Sequence, residues 1–434
     1  MNPDVIIGLA GILVLLILFG TGIELGFAMM LVGCVGFGLV TNFHAAMNLL
    51  AKDLFDTAAN YSFTVFPLFM LMGQLGFSAG MAGRLYDTAH KWIGHIPGGL
   101  AMATVVGATA FKAVCGSSGA TTATFTAVAV PQMDRYGYDK RLSTGIVATV
   151  GTLGVLIPPS VVLIIYGIIT EQSIGRLFLA GLIPGLIISL LFIGIIYGWC
   201  KIDPKIARKS EASAWKERWS SLPEALWVAI IFVVVVGGIL QGYFTPTEAG
   251  GVGAFAVLLL SALKKEMDLK KYLASMKETV RTTGMIIMLI SGSIVLGHFI
   301  TATNIPQIAA DWIVGLPFNR YLVLILIFLI YEIGGSFIED LAFMILATPI
   351  FFPAVVKLGF DPIWFGIALG VTLMIGIVIP PVAVCVFIVN NMTKVPIGTI
   401  YKGVAPFLIA LVVVMALMLL FPQLALWLPS LFFK

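Results

Sequence analysis

The sequence predicts an all-α polytopic membrane protein, and three observations carry that expectation. Of 434 residues, 60% are hydrophobic and only 11% are charged, against roughly 25% charged in an ordinary soluble chain. Apolar runs of about 20 residues, the length at which a helix spans a bilayer, recur from end to end. The second half of the chain also repeats short motifs of the first half in the same order. A typical soluble enzyme is excluded, because 25 Lys and Arg with 21 Asp and Glu cannot build a water-facing shell for a chain this long. A net charge of +4 gives no nucleic-acid reading. Cys34, Cys115, Cys200 and Cys385 are scattered, with no metal-ligand or disulfide spacing. No phosphate-binding GxxxxGK[ST] motif occurs, which argues against a primary pump within this chain, and no organic cofactor is expected.

Complete crossings are expected at residues 4–20, 24–43, 61–80, 142–170 and 177–200. A polar, Lys- and Arg-rich stretch at 201–222 reads as a linker between halves. Five more crossings follow at 223–241, 247–263, 280–300, 362–391 and 402–421. Each half holds one interrupted apolar segment, 98–133 and 320–353, broken near its middle by small and polar residues. Both read as hairpins that enter and leave on one side. The chain therefore divides into a first repeat (1–200), a linker (201–222) and a second repeat (223–434). With the linker in the cytoplasm, nineteen of the 25 Lys and Arg fall inside, as the positive-inside rule requires. Both termini are then periplasmic, and no cleaved signal peptide is expected, since the first apolar stretch lacks a basic leader.

The internal match is ordered. Thr21 and Glu24 pair with Thr245 and Glu248, and Trp92 and Pro97 with Trp312 and Pro317. Further on, Gly116-Ser117 pairs with Gly335-Ser336, Pro131 with Pro349, and the Pro158-Pro159 pair with Pro380-Pro381, at offsets between 218 and 224. Five crossings per half is an odd number, so the second copy is inserted upside down. Inverted-topology repeats belong to secondary transporters, with binding sites near the midplane where the copies meet.

Irregular backbone at membrane depth survives only inside protein or along a cavity. Four interruptions qualify: the two hairpin tips, the stretch 151–159 and the stretch 370–381, the last two being breaks that end in double prolines. Unwound carbonyls and hydroxyls suit Na⁺, while half-helix N-termini suit a carboxylate. Two pseudo-symmetric Na⁺ sites are expected. The first joins Ser117, Ser118 and Gly119 to Gly151, Thr152 and Gly154; the second joins Gly335 and Ser336 to Thr372 and Gly376. Lys112, Thr121, Pro158, Glu339, Asp340 and Pro380 adjoin these segments and are candidates for substrate binding or coupling. Glu332, Glu339 and Asp340 are carboxylates in or beside an apolar run, a costly placement that is usually functional, against the plainer role of a paired structural acid. For Lys112, an anion-attracting role stands against a structural pairing. His298 reads as a hydrogen-bonded core histidine, Glu24 and Glu248 as partners of helix N-termini, and Trp92 and Trp312 as interfacial anchors.

Several ordered motifs carry a resemblance: Phe244-Thr-Pro-Thr-Glu-Ala249, Cys115-Gly-Ser-Ser118, Gly151-Thr-Leu-Gly-Val-Leu-Ile-Pro-Pro-Ser160, Thr170-Glu-Gln-Ser173, Pro349-Ile-Phe-Phe-Pro353 and the second Ile-Pro-Pro. Across essentially its whole length the chain resembles the large membrane subunit of tripartite ATP-independent periplasmic (TRAP) transporters. The resemblance implies Na⁺-coupled uptake of an organic anion, such as a C4-dicarboxylate, a keto acid or sialic acid, across the bacterial inner membrane. It implies an elevator-type fold, in which hairpins and broken helices carry substrate past a scaffold. It also implies two partners, a periplasmic substrate-binding protein and a small membrane subunit of about four helices, the latter expected here as a separate polypeptide. The acidic pair Glu339-Asp340 departs from the single acid of many relatives. Rival readings are an anion carrier of the same architecture without a binding protein, a channel, and an intramembrane serine protease built on Gly116-Ser-Ser-Gly119 with His298 as base. A protease has no use for a second copy with Ser336 in the equivalent place, and a four-residue pattern is weak.

Overall fold

The computed structural model describes residues 3–337, 340–381 and 383–433, and among these the regular secondary structure is entirely helical. The chain opens with α1 (Pro3–Phe19) and α2 (Leu25–Val40), apolar helices of 17 and 16 residues, which rise about 25 Å each. Next come α3 (Phe43–Ala59), a 3₁₀ turn (Tyr61–Thr64) and α4 (Val65–Ser78). At Gly80, whose φ of +73° suits glycine, the path bends by 61° into α5 (Met81–Ile93). A helix pair follows, α6 (Gly99–Lys112) and α7 (Ser118–Arg135), then a broken helix, α8 (Lys140–Val150) and α9 (Val161–Ile169), and the long α10 (Ile174–Ile202). Beyond the linker lie α11 (Trp215–Leu240), α12 (Pro246–Leu263), α13 (Leu269–Ala302) and α14 (Ile305–Val314). A second helix pair, α15 (Arg320–Phe337) and α16 (Asp340–Lys357), precedes a second interrupted helix, α17 (Pro362–Gly376) and α18 (Val384–Thr393), with α19 (Ile397–Leu420) and α20 (Gln423–Phe432) closing the chain.

Among the described residues, α10, α11, α12, α13 and α19 each meet by themselves the length and apolarity of a crossing. Outward faces are greasy: Leu13 and Ile17 on α1, Val233 on α11 and Ile409 on α19 are all at least 60% exposed. That pattern belongs in lipid rather than water.

Elements from the two halves interlock. Helix α2 lies along α13, and α4 along α12. The α2–α13 seam is built on small residues, since a Cβ on Gly33 would meet the Leu296 backbone at 2.6 Å and one on Gly26 the Met288 carbonyl at 2.8 Å. Close backbone approach of this kind is how helices associate in a bilayer. Beside the linker, Arg84 on α5 bonds Glu224 and Glu266, both at 2.8 Å, and Lys264 reaches Glu224 at 2.7 Å. These ions tie α5, α11 and the α12–α13 turn together.

Several sequence expectations shift. The second break opens later than its glycines suggest: α17 stays helical through Gly376, so Thr372 lies within a helix and the chain leaves the helix only at Ile377. Apolar packing on both sides holds Gly370 in helix, where the residue costs only about 1 kcal/mol. The crossing expected at 280–300 is the second half of a 34-residue helix, α13. Helices α3 and α20 went unforeseen, because neither carries a run long enough to register as a span. His298 is hydrogen-bonded, its Nδ1 to Asp53 Oδ2 at 2.8 Å, but its side chain is 46% exposed, so it sits at the rim and not in the core. Glu248 forms a full capping box with Thr245 at the start of α12, whereas Glu24 is the N-cap of α2 with no side-chain hydrogen bond. Trp312 is 67% exposed, while Trp92 packs edge-on against Trp215 and Trp219 and donates to the Arg218 carbonyl.

Candidate functional site

The α6–α7 tip owes its shape to hydrogen bonds from its own side chains. Ser117 is the N-cap of α7, its Oγ accepting from the Ala120 N–H at 3.3 Å. Its carbonyl accepts three times: from Lys112 Nζ at 2.9 Å, from Thr121 Oγ1 at 2.9 Å and from the Thr121 N–H at 3.2 Å. Lys112 is completely buried, and the ammonium lies against Gly154, where a Cβ would overlap Nζ. Only glycine leaves room for that charge. Gly151 makes an equally close approach to Thr122 Oγ1, and the Cβ position of Gly116 is 2.6 Å from the Pro159 carbonyl. The tip is thus pressed onto the 3₁₀ segment Gly151–Val155 and the double proline behind it, and every residue from Gly151 to Ser160 is buried.

The Thr122 hydroxyl is bonded to the Ser118 carbonyl at 3.0 Å and lies 3.3 Å from Cys385 Sγ on α18. That contact links the first helix pair to the second interrupted helix. Where they meet, a cavity of about 220 Å³ is lined by Gly116, Ser117, Ser118 and Gly119 of the tip, Val161 and Val162 of α9, Leu341 of α16, and Val384 and Cys385 of α18. Met70 of α4 and Thr282, Met285 and Ile286 of α13 close the opposite wall. The lining places the N-terminal turns of four helices, α7, α9, α16 and α18, around one space. Helix N-termini carry unsatisfied N–H groups and partial positive charge, so their convergence favours an anion. Two of the four are capped by serine: Ser117 for α7, and Ser160 for α9, whose Oγ accepts from the Leu163 N–H at 3.3 Å and donates to the Val155 carbonyl at 2.6 Å. Helix α18 has Ala383 as its N-cap and no side-chain cap.

The second tip is built differently. Ser336 is buried and donates to the Glu332 carbonyl at 2.7 Å, one turn back on α15. The Glu332 Oε1 atom is buried without a hydrogen-bond partner among the described residues, and the Cβ position of Gly376 lies 4.0 Å from it and 4.0 Å from the Gly335 backbone. Tyr331 donates to Thr348 Oγ1 at 3.2 Å, tying α15 to α16. Pro380 and Pro381 are exposed, in contrast to the buried Pro158 and Pro159; the peptide bond within each pair is cis.

The structure therefore brings Ser117, Ser118 and Gly119 to the cavity, and Gly151, Thr152 and Gly154 directly behind them. Gly335, Ser336 and Gly376 cluster separately around Glu332. The hydroxyls of Thr121, Thr152 and Thr372 are turned back onto backbone carbonyls three or four residues earlier, those of Ser117, Thr149 and Ala368. Lys112 pairs with a backbone carbonyl and not with an acid, and does not line the cavity. Glu339 and the Asp340 side chain lie outside the described residues. Met70, Thr282, Thr122 and Cys385 escaped the sequence reading: a single Met or Thr on an apolar helix carries no periodic or motif signal, and only the fold brings α4, α7, α13 and α18 together. At the α7–α8 turn, outside the membrane segments, Asp139 caps α8, and its hydrogen bond to the Arg141 guanidinium holds its carboxyl below the usual carboxylate range.

Residues 11–424 match the family model described as "Tripartite ATP-independent periplasmic transporter, DctM component". This chain belongs to the DctM family of TRAP transporters. As a TRAP large permease it is a multi-pass membrane protein, and its relatives are transport permeases rather than enzymes. It is 36% identical over 382 residues to the C4-dicarboxylate TRAP transporter large permease protein DctM of Pseudomonas aeruginosa, covering 88% of this chain and 89% of that one. With the sialic acid TRAP transporter large permease protein SiaM of Vibrio cholerae it shares 33% identity over 417 residues, covering 95% and 96% of the two chains. Among solved structures, the YdaH transporter of Alcanivorax borkumensis matches this TRAP permease with a TM-score of 0.57 at 14% identity, over 90% of this chain and 89% of that one. That likeness concerns the fold.

Proposed function

We propose that this TRAP permease carries an organic anion, of the C4-dicarboxylate, keto acid or sialic acid class, into the cell by coupling to Na⁺. The observation that carries the reading is the cavity ringed by four helix N-termini, which favours carboxylate and needs no buried arginine to hold it. Relatives named for C4-dicarboxylates and for sialic acid support the substrate class. Oxygen-rich backbone at the two breaks supports Na⁺ as the co-transported ion: Ser118, Gly119 and Gly151 for one site, Gly335, Ser336, Glu332 and Gly376 for the other.

In this reading α1–α10 and α11–α19 are inverted repeats, each three spans, an arm, a hairpin, a broken helix and a closing span. The hairpins and broken helices move as an elevator past α2, α4, α12 and α13, and the cavity lies on that boundary, with Met70, Thr282 and Met285 as its stationary wall. Substrate arrives on a periplasmic binding protein, a small membrane subunit completes the complex in the bacterial inner membrane, and the 201–222 linker faces the cytoplasm. A relative from Oleidesulfovibrio alaskensis is named as a DctMQ permease and is matched over 58% of its length, in keeping with a second component.

The test is uptake into proteoliposomes containing this chain and its small subunit, with radiolabelled anions, an inward Na⁺ gradient, and the binding protein added or omitted. The proposal expects uptake only with sodium and binding protein together. Sodium-driven uptake indifferent to the soluble protein would keep the carrier and remove the partner, and ion flux without substrate would make it a channel.

A further inference from the structure

At the linker end of α10 a second cavity, of about 480 Å³, lies away from the transport site. Its lining includes Lys201, Arg208, Lys209, Tyr197, Pro97 and Cys200, and no acidic residue contributes to it. Several cations elsewhere on this face are neutralised: Arg84 and Lys264 by Glu224, Lys140 by Asp134, Arg141 by Asp139. Lys201, Arg208 and Lys209 have no carboxylate partner among the described residues; Lys201 Nζ instead sits 6.0 Å from the centroid of the Tyr197 ring. The three charges are held on a fixed frame. Ile206 and Ala207 are buried, the Ile206 carbonyl accepts from the Asp139 N–H at 2.8 Å, and the Ser210 N–H donates to the Gly94 carbonyl at 3.3 Å. Arg208 and Lys209 lie between those two anchors. Cys200 closes the floor against Gly98 at the foot of α6, where a Cβ would meet its Sγ at 2.7 Å.

The cavity also opens beside hydrocarbon. Leu186 is 44% exposed, Leu190 66% and Tyr197 46%, a lipid-facing strip running down one face of α10 to the basic rim. A ligand that satisfies both parts needs an anionic head for three cations and acyl chains for the strip. We infer that this pocket binds the phosphate headgroup of an anionic phospholipid, with its chains along α10. Basic pockets at the ends of membrane helices recognise such headgroups electrostatically, and a free phosphate shares the head chemistry but not the chains. An occupied pocket braces the linker against the foot of α6 and against the α7–α8 turn, so lipid composition reaches the helix pair whose tip lines the transport cavity.

The test uses the full chain in neutral detergent, probed with phosphatidylglycerol, phosphatidylcholine or inorganic phosphate, reading bound lipid by native mass spectrometry and thermal stability in parallel. Phosphatidylglycerol should be retained and should raise the melting temperature, with phosphatidylcholine at least about tenfold weaker. The triple variant K201Q/R208Q/K209Q should lose that preference, and K394Q/K402Q, which removes two other linker-side cations, should keep it. All three pocket cations are exposed, so the triple change leaves the core intact. If it fails to fold, the wild-type comparison of the two lipids still decides. Equal retention of both lipids, or full displacement of phosphatidylglycerol by millimolar inorganic phosphate, overturns the proposal.

Discussion

The two tips share a sequence pattern and differ in the charge beside them. At the first, a fully buried ammonium, Lys112, is bound to the Ser117 carbonyl and wedged against Gly154. At the second, a carboxylate, Glu332, places a buried oxygen with no partner beside Gly376. The first break is buried throughout, and the second exposes its prolines. An internal cation already satisfies oxygens that would otherwise hold an ion, whereas a carboxyl oxygen without a partner is still free to take one. Sequence symmetry therefore does not imply two equal sites. In the proposed reading the first tip is locked by its own lysine and offers its helix N-termini to an anion, and the second is the stronger place for a coupling cation.

The most damaging change to that contrast is Lys112→Met, which keeps side-chain length and removes the charge-assisted bond to Ser117, worth about 1.5–3 kcal/mol. We expect uptake to fall at least about tenfold, with a lower melting temperature in the same preparation. Next is a matched pair of glycine changes. Gly154→Ala drives a methyl into the Lys112 ammonium and should cost about 1–3 kcal/mol of stability. Gly376→Ala finds its nearest neighbours among the described residues at 4.0 Å and should melt like the parent protein. Equal melting of both would erase the packing difference between the breaks.

Smaller effects come from the hydroxyls. Ser336→Ala and Ser118→Ala should each raise the sodium needed for half-maximal uptake more than they lower protein yield, with Ser336→Ala the larger of the two. Unchanged sodium activation in both would remove these residues from the ion sites. The smallest effect concerns pH. The native carboxyl of Asp139 is depressed below its unfolded value of about 3.9, so its cap is fully stabilising above that pH and is lost as pH falls through the lower native value. Melting curves of Asp139→Asn and the parent should differ at neutral pH and converge in strong acid.

Much of the frame was legible before any coordinates. Membrane class follows from composition, and the breaks from Gly and Pro, because backbone polar groups in hydrocarbon must be paired and these residues disrupt that pairing. The position of an opening was less legible. Thr372 and Gly376 read as unwound, yet neighbours on both sides keep α17 helical to its end. Partners across the halves were invisible: nothing in Thr122 or Cys385 announces a contact 263 residues apart, and nothing in Lys112 says its charge ends on a carbonyl and not on an acid. Side-chain reach and crossing geometry set those contacts, and hydrophobic periodicity carries no information about either.

In the proposed reading Glu332 makes the second tip the main coupling-ion site. The most direct measurement is radiolabelled sodium binding and sodium-activated uptake for the parent protein, Glu332→Gln and Lys112→Met in the same proteoliposomes. Glu332→Gln should weaken sodium affinity at least about tenfold while substrate affinity at saturating sodium holds. Lys112→Met should slow uptake with sodium affinity kept. Parental sodium affinity in Glu332→Gln, or a loss of sodium affinity confined to Lys112→Met, would contradict it.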